Sequence, residues 1–111
     1  MNTCGWIRGY QAKTSAPTEF VKIVSGTLSR EFEIECHVEE SETDYQVTLG
    51  TREVVLCKAD CKAAQERGGY ALDRLILLEL VKNGLSYKKT RSQYIRYCHS
   101  IFFRRMDGTV Y

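Results

Sequence analysis

Apolar and polar residues alternate over two neighbouring stretches of this chain, which limits what those stretches can form. In the first, Phe32, Ile34, Cys36 and Val38 alternate with Glu31, Glu33, Glu35 and His37; in the second, Tyr45, Val47 and Leu49 hold every other position. Successive side chains of a β-strand point to opposite faces, so each stretch predicts a strand with one buried and one solvated face. Such half-solvated strands are typical of antiparallel sheets.

Turn signals predict how these strands connect. The polar run at residues 39–44 predicts a loop, and Gly50-Thr51 fits a two-residue hairpin loop because glycine accepts the positive φ needed there. Arg52 to Cys57 supplies a further strand. The short apolar run at residues 20–24, which stops at Ser25-Gly26, predicts another strand and turn. We therefore expect an antiparallel meander of three or four strands.

After Cys57 the apolar residues change to helical spacing. Asp60 is a candidate start of a helix, and Asn83-Gly84 is a typical stop. Gly68-Gly69 interrupts this helix, since each glycine costs roughly 1 kcal/mol against alanine in a helix interior. Residues 72–81 are apolar nearly all round, which predicts a largely buried helix packed across the sheet.

The two ends of the chain complete the predicted domain. A second helix is expected from about residue 92 to 105, with Tyr94, Cys98, Ile101 and Phe102 on one face. Residues 1–18 show no period and predict an irregular lead-in that ends at Pro17. The prediction is a single α+β domain over residues 1–111: the meander, then a packed helix, then a second C-terminal helix.

Composition limits the function classes. With 111 residues, 43% hydrophobic and 27% charged, the chain suits one globular domain. It contains no apolar stretch of the roughly 18 residues that a membrane span needs. The N-terminus lacks the charged-then-apolar order of a signal peptide, so we expect an intracellular, cytoplasmic protein with no membrane contact.

Neither a metal site nor an active site is predicted. The five cysteines are irregularly spaced, which favours reduced thiols; Cys57 and Cys61 leave a zinc site open, although no tight ligand pair is present. The two histidines, His37 and His99, accompany no glycine-rich phosphate loop or nucleophile elbow. We expect no catalytic residue, metal or cofactor, and hence no enzyme.

Charge is segregated along the chain. Seven acids and no base occupy one segment: Glu31, Glu33, Glu35, Glu39, Glu40, Glu42 and Asp44. Seven bases and no acid occupy another: Lys82, Lys88, Lys89, Arg91, Arg96, Arg104 and Arg105. Separated patches make a dipolar surface, whereas adjacent ones pair with each other.

The basic segment predicts nucleic-acid binding, of RNA or DNA. It interleaves cations, which neutralise phosphates, with aromatic rings, on which bases stack. The predicted contacts are Lys58, Lys62, Lys88, Lys89, Arg91, Tyr94, Arg96, Tyr97, Arg104 and Arg105. The alternative is that the rings fill the core and the bases solvate a helix.

The acidic segment predicts a different function. Glu31, Glu33 and Glu35 would project from one strand face about 6.5–7 Å apart, like successive phosphates. With Glu39, Glu40, Glu42 and Asp44, they would form an acidic hairpin that binds a basic groove on a host protein, such as a nucleic-acid-handling complex. That is the mode of a small viral or phage-type inhibitor or adaptor. A third hypothesis is a homo-oligomer in which acidic and basic patches pair between subunits.

The segment Lys58-Ala59-Asp60-Cys61-Lys62-Ala63-Ala64, directly after the predicted strands, resembles the double-stranded RNA-binding domain. Lys58 and Lys62 fall on the first and last lysines of that family's Lys-Lys-x-Ala-Lys helix start, whereas Ala59 replaces the middle one. The likeness covers about residues 30–80 and implies recognition of duplex RNA by shape and 2′-hydroxyl contacts. The family also has an amphipathic helix before the sheet, which this sequence does not predict ahead of Phe20.

Overall fold

The computed structural model describes residues 3–100, with side chains from residue 7 onward. The elements are α1 (Thr3–Thr14), α2 (Pro17–Phe32), β1 (Cys36–Glu40), β2 (Asp44–Leu49), β3 (Arg52–Cys57), α3 (Lys58–Arg67), α4 (Ala71–Lys82) and α5 (Gln93–Cys98). The strands form one antiparallel sheet in the order β1-β2-β3. The predicted α+β fold, a meander followed by a packed helix and a second helix, is confirmed.

The helices cover one face of the sheet. Alternating residues in each strand, such as Val47 in β2 and Val54 in β3, are buried, while α2 packs on β1 and α4 on β3. The largest fully buried side chains of the core are Phe20, Val21, Val24, Leu28, Tyr45, Val47, Leu49, Leu72, Ile76, Leu77, Leu80 and Ile95. This core fixes the helices relative to one another and so positions the surface clefts between them.

The opposite face of the sheet is exposed. Glu39 pairs with Gln46 and Gln46 with Val55, which is 63% exposed at the middle of β3. The neighbouring row runs from His37 through Thr48 to Glu53. The expected two-residue loop joins β2 to β3, since Leu49 pairs with Arg52 and Gly50 has a φ of +62°.

The prediction for the N-terminal part of the chain was wrong. The irregular lead-in predicted over residues 1–18 is absent from residue 3 onward, because Thr3–Thr14 forms α1 and Pro17 begins α2. Residues 20–24 are not a strand, and Ser25-Gly26 is not a turn; both lie inside α2. Buried Phe20, Val24 and Leu28 lie four residues apart, which is helical spacing, and proline suits a helix start because its fixed φ is helical.

The strand predicted from the first alternating stretch begins later than expected. Glu31 and Phe32 form the last turn of α2, and β1 starts only at Cys36. Between them, Glu33 has a left-handed φ of 54° and its N–H donates to the carbonyl of Ser29, which ends the helix. A short alternating pattern cannot distinguish a helix end from a strand when a left-handed residue falls within it.

The helical part follows the prediction more closely. Helix α3 begins at Lys58 with Cys57 as its N-cap, not at Asp60. The expected break occurs at Gly68-Gly69, where φ is +77° and +57°, and α4 stops at Asn83 as expected. The second helix is present over Gln93–Cys98, and its predicted continuation to residue 105 lies outside the described residues. None of the helices within residues 3–100 has the length and apolar character needed to cross a membrane.

Candidate nucleic-acid interface

Arg91, a predicted nucleic-acid contact, forms an ion pair with an acid of the same chain. Its Nε lies 2.8 Å from Oε2 of Glu31, and its Nη2 donates to the Glu31 carbonyl at 3.2 Å. Ser92 donates to the other carboxylate oxygen at 3.0 Å, and the Arg91 guanidinium lies 4.7 Å from the centre of the Phe32 ring. Arg91 therefore ties the start of α5 to the end of α2.

Lys58 is engaged in the same way. Its ammonium group donates to Oε2 of Glu40 and lies 5.4 Å from the centre of the Tyr45 ring. The hydrogen bond from Lys58 lowers the pKa of Glu40 and raises that of Lys58, so both groups are ionised at neutral pH. Lys62, one turn further along α3, is exposed. Two predicted basic contacts thus pair with two predicted acidic ones inside one molecule.

The acids do not form the regular array that was predicted. Glu31 is in helix α2, Glu33 is the left-handed residue that ends it, and Glu35 lies in the connection to β1. The expected projection of these three from one strand face is wrong, since only residues from Cys36 onward are in a strand. Glu39 and Glu42 remain exposed, and Asp44 begins β2 half-exposed.

Tyr94 lies in a buried polar network. Its hydroxyl donates to Oδ2 of Asp73 at 2.6 Å, and Nη2 of Arg8 lies 3.1 Å from the same oxygen. Asp73 is fully buried, and burial raises the pKa of its carboxyl despite the opposing charge of Arg8. Arg8 also donates to Gln11 at 2.7 Å and to Thr27 at 2.9 Å. Tyr94 therefore supports the core.

Sequence reasoning missed this network because its members are far apart in the chain. Arg8 falls in the segment predicted to be irregular, and Asp73 falls in the helix predicted to be buried. The sequence did contain one sign of this network, which is Asp73 inside a helix that is otherwise apolar nearly all round. Such an acid requires a partner, because burying a carboxylate without one is very costly.

A cleft lined by basic and aromatic residues lies between α4 and α5. It has a volume of about 620 Å³, and its lining residues include Arg67, Arg74, Tyr70 and Tyr97. No acidic residue is among those that line it in the described part of the chain. Both arginines are exposed, and within residues 3–100 neither guanidinium has an ion pair or a hydrogen bond. We refer to this as the α4–α5 cleft.

A second cleft lies on the other side of the same two tyrosines. It has a volume of about 510 Å³, and Tyr70 and Tyr97 line it together with residues of α1 and α2, among them Arg8 and Arg30. The two tyrosine rings stack with their centres 5.9 Å apart and their planes at 27°. We refer to this as the α1–α2 cleft.

The remaining predicted contacts either line neither cleft or lie outside the described residues. Lys89 is half-buried. Burial, then the charges of Lys89 and Arg74, lower the pKa of His99 to about 4. Lys88 is exposed and Arg96 lies in α5, whereas Arg104 and Arg105 lie outside the described residues. The charge of Arg67 and Arg74 at the cleft was not predicted, because both lie in helices that precede the basic segment.

The cysteines offer no reactive or metal-binding cluster in the described structure. Cys57 is exposed and Cys61 is buried, and burial raises the pKa of Cys61 to about 11, so that thiol is protonated at neutral pH. Burial also raises the pKa of Cys98. Among the side chains of residues 7–100, no group of three histidines, cysteines, aspartates or glutamates is arranged to hold a metal ion.

Comparisons of the chain with protein-family models, with curated proteins and with solved structures find no match.

Proposed function

We propose that this protein is a non-catalytic nucleic-acid-binding module whose contact surface is the α4–α5 cleft. The observation that carries the proposal is the charge of this cleft: Arg67 and Arg74 line it, no described acid does, and Tyr97 forms part of its wall. Cations beside aromatic rings are what a nucleic-acid strand requires, for its phosphates and its bases respectively.

The backbone at the cleft does not itself supply a site for an anion. Gly68 and Gly69 line the cleft just before α4. The N–H of Ala71 donates to the Gly68 carbonyl at 3.3 Å, and Asp73 already provides a negative charge in the first turn of α4. The preference of the cleft for anions therefore comes from Arg67 and Arg74.

The proposal is tested by fluorescence anisotropy with labelled RNA and DNA oligonucleotides at about 50 mM salt. We expect the double variant Arg67→Gln/Arg74→Gln to weaken binding at least tenfold. We also expect it to reduce the slope of log K against log salt by about 1.4 for a single strand, or about 0.7 for each lost phosphate contact. Both side chains are exposed, so circular dichroism and thermal unfolding should be unchanged.

Lys13→Gln/Lys22→Gln is the matched control, because it removes the same charge from exposed positions on α1 and α2 that do not line the α4–α5 cleft. Equal weakening by the two pairs would mean that binding depends on net charge alone. The proposal is refuted if the unaltered protein binds neither RNA nor DNA at this salt concentration.

A second candidate function rests on the exposed face of the sheet. Glu53 lies on that face next to exposed Val55, and Glu39 lies on it across Gln46 from Val55. No Lys or Arg of the three strands shares this face. A small apolar centre with an acidic surround fits a basic partner protein, which is the inhibitor or adaptor hypothesis moved from the hairpin to the sheet.

The sheet face is tested with a lysine-rich peptide and NMR chemical-shift mapping. Binding should shift the amides of Val55 and its strand neighbours, and Glu39→Lys/Glu53→Lys should abolish it. Glu19→Lys/Glu66→Lys reverses two exposed acids on helices and serves as the control. Shifts confined to the helices, or equal losses in both variants, would reject this candidate.

A further inference from the structure

We infer that the ligand of this surface is a single strand, which runs from the α4–α5 cleft across the Tyr70–Tyr97 pair into the α1–α2 cleft. This inference rests on the proposed function and specifies its substrate. The same two tyrosines line both clefts, so the clefts adjoin along one wall. The surface therefore has Tyr70 and Tyr97 at its middle. The α4–α5 cleft on one side contributes the guanidinium groups of Arg67 and Arg74, and the α1–α2 cleft on the other contributes that of Arg30.

The charge balance of the α1–α2 cleft leaves one cation for the ligand. Arg8 is offset by Asp73, and the only acid among the cleft's described lining residues, Glu31, is offset by Arg91. Arg30 is exposed, and its described hydrogen bond, to Oγ1 of Thr27, is long at 3.4 Å. Arg30 can therefore exchange that bond for a phosphate oxygen at little cost.

The order of charges and rings favours a strand whose bases are unpaired. In a duplex, the bases are stacked on one another and their flat faces are closed to protein rings. In a single strand, each base presents a face, and stacking on aromatic side chains contributes about 1–3 kcal/mol per base. The Tyr70–Tyr97 pair, with Arg67 and Arg74 on one side and Arg30 on the other, matches the alternation of base and phosphate along such a strand.

The surface that the resemblance implies for duplex RNA is less suitable. The Lys58 ammonium group is bound to Glu40, and the negative charge of Glu42 acts on the same lysine. Helix α2 does supply an amphipathic helix before the sheet, as that family has. However, lysines that bridge duplex grooves must reach phosphates, and Lys58 would first have to leave its carboxylate partner.

The test compares a 12-nucleotide single strand with the duplex of the same sequence, each as RNA and as DNA, by anisotropy at about 50 mM salt. We expect the single strand to bind at least tenfold more tightly than its duplex in one or both chemistries. Arg30→Gln should weaken single-strand binding about three- to tenfold, as loss of an exposed phosphate contact does. Lys62→Gln, an exposed charge removed from α3, should leave binding within twofold and is the control.

The outcomes separate this inference from the proposed function. The single-strand inference would be overturned if the duplex bound as tightly as the single strand or more tightly, and if Lys62→Gln weakened that binding. The protein would then still be a nucleic-acid-binding module, but one that uses Lys58 and Lys62 on α3. Normal single-strand binding by Arg30→Gln would overturn the path across the tyrosines. Absence of binding to every probe would overturn the proposed function itself.

Discussion

Replacing Arg8 by methionine removes the charge that offsets Asp73 while keeping a side chain of similar length in the core. Arg8 and Asp73 are 7% and 0% exposed, and their closest atoms are 3.1 Å apart. Breaking a buried ion pair by removing one partner typically costs about 3–5 kcal/mol, because it leaves an uncompensated charge. The aspartate can escape that state by binding a proton, which sets an upper limit to the loss.

The limit can be worked out for any pH. Holding a carboxyl protonated costs about 1.4 kcal/mol for each pH unit above its ordinary pKa, which for Asp73 is 3.8. The limit is therefore about 4.5 kcal/mol at pH 7 and about 1.7 kcal/mol at pH 5. Burial already raises the pKa of Asp73, and Arg8→Met raises it further. The folded state then keeps a proton that the unfolded chain loses, so the stability of the variant falls as pH rises.

The assay is urea unfolding of both proteins between pH 5 and pH 7.5, followed by circular dichroism. We expect the free energy of unfolding to drop by about 3–4 kcal/mol at pH 7 and by less than about 2 kcal/mol at pH 5. Arg30→Met, an exposed arginine that donates to the same Thr27 hydroxyl, should change stability by less than about 0.5 kcal/mol. A loss that does not vary with pH would refute the ion-pair reasoning and indicate lost packing alone.

Two further predictions concern the backbone. Glu33→Gly should raise the free energy of unfolding by about 0.5–1 kcal/mol, because glycine adopts the left-handed φ of 54° without the strain of a side chain. Glu33→Ala is the control, since it removes the charge but keeps the strain. An equal gain in stability in Glu33→Ala would contradict this reason. Gly50→Ala should lower the free energy of unfolding by about 1–3 kcal/mol, since φ is +62° and the new Cβ would lie 2.8 Å from Cγ2 of Ile34. Gly26→Ala should instead raise the free energy of unfolding by up to about 1 kcal/mol, because Gly26 lies inside α2 and the new Cβ would be 3.6 Å from the nearest side-chain atom. Urea unfolding measures all four variants. Equal losses of stability in Gly50→Ala and Gly26→Ala would reject the explanation from φ.

The fold was predictable where one physical rule acted alone. Leu49-Gly50-Thr51-Arg52 predicted its hairpin because only a few loops match the twist of two paired strands. Gly68-Gly69 predicted its break because glycine disfavours a helix interior. The prediction failed at residues 20–35, where apolar residues at helical spacing ran into an alternating pattern, and the change between them occurred at a left-handed Glu33 that no propensity favours.

The candidate site was less predictable than the fold. Tyr97 was expected at a nucleic-acid surface and does line both clefts, but Arg67 and Arg74 joined it from helices outside the basic segment. Tyr94, which looked equivalent to Tyr97 in the sequence, lines only the α1–α2 cleft and donates its hydroxyl to buried Asp73. Which clefts an aromatic side chain lines, and whether it also bonds a core residue, depends on which way its helix faces, and short spacing patterns do not determine that.

The sequence by itself determined the elements whose signals are local: the β2–β3 hairpin, the broken helix pair α3 and α4, and the opposite charges of the two segments. The tertiary structure alone decided which charges meet. It paired Arg91 with Glu31 and Lys58 with Glu40. Among the described side chains, Arg30, Arg67 and Arg74 have no acidic partner, and they lie around two tyrosines. The physical reason is that attraction between charges depends on their distance and burial in space. Residues 60 positions apart became partners, while neighbours in one basic run were separated.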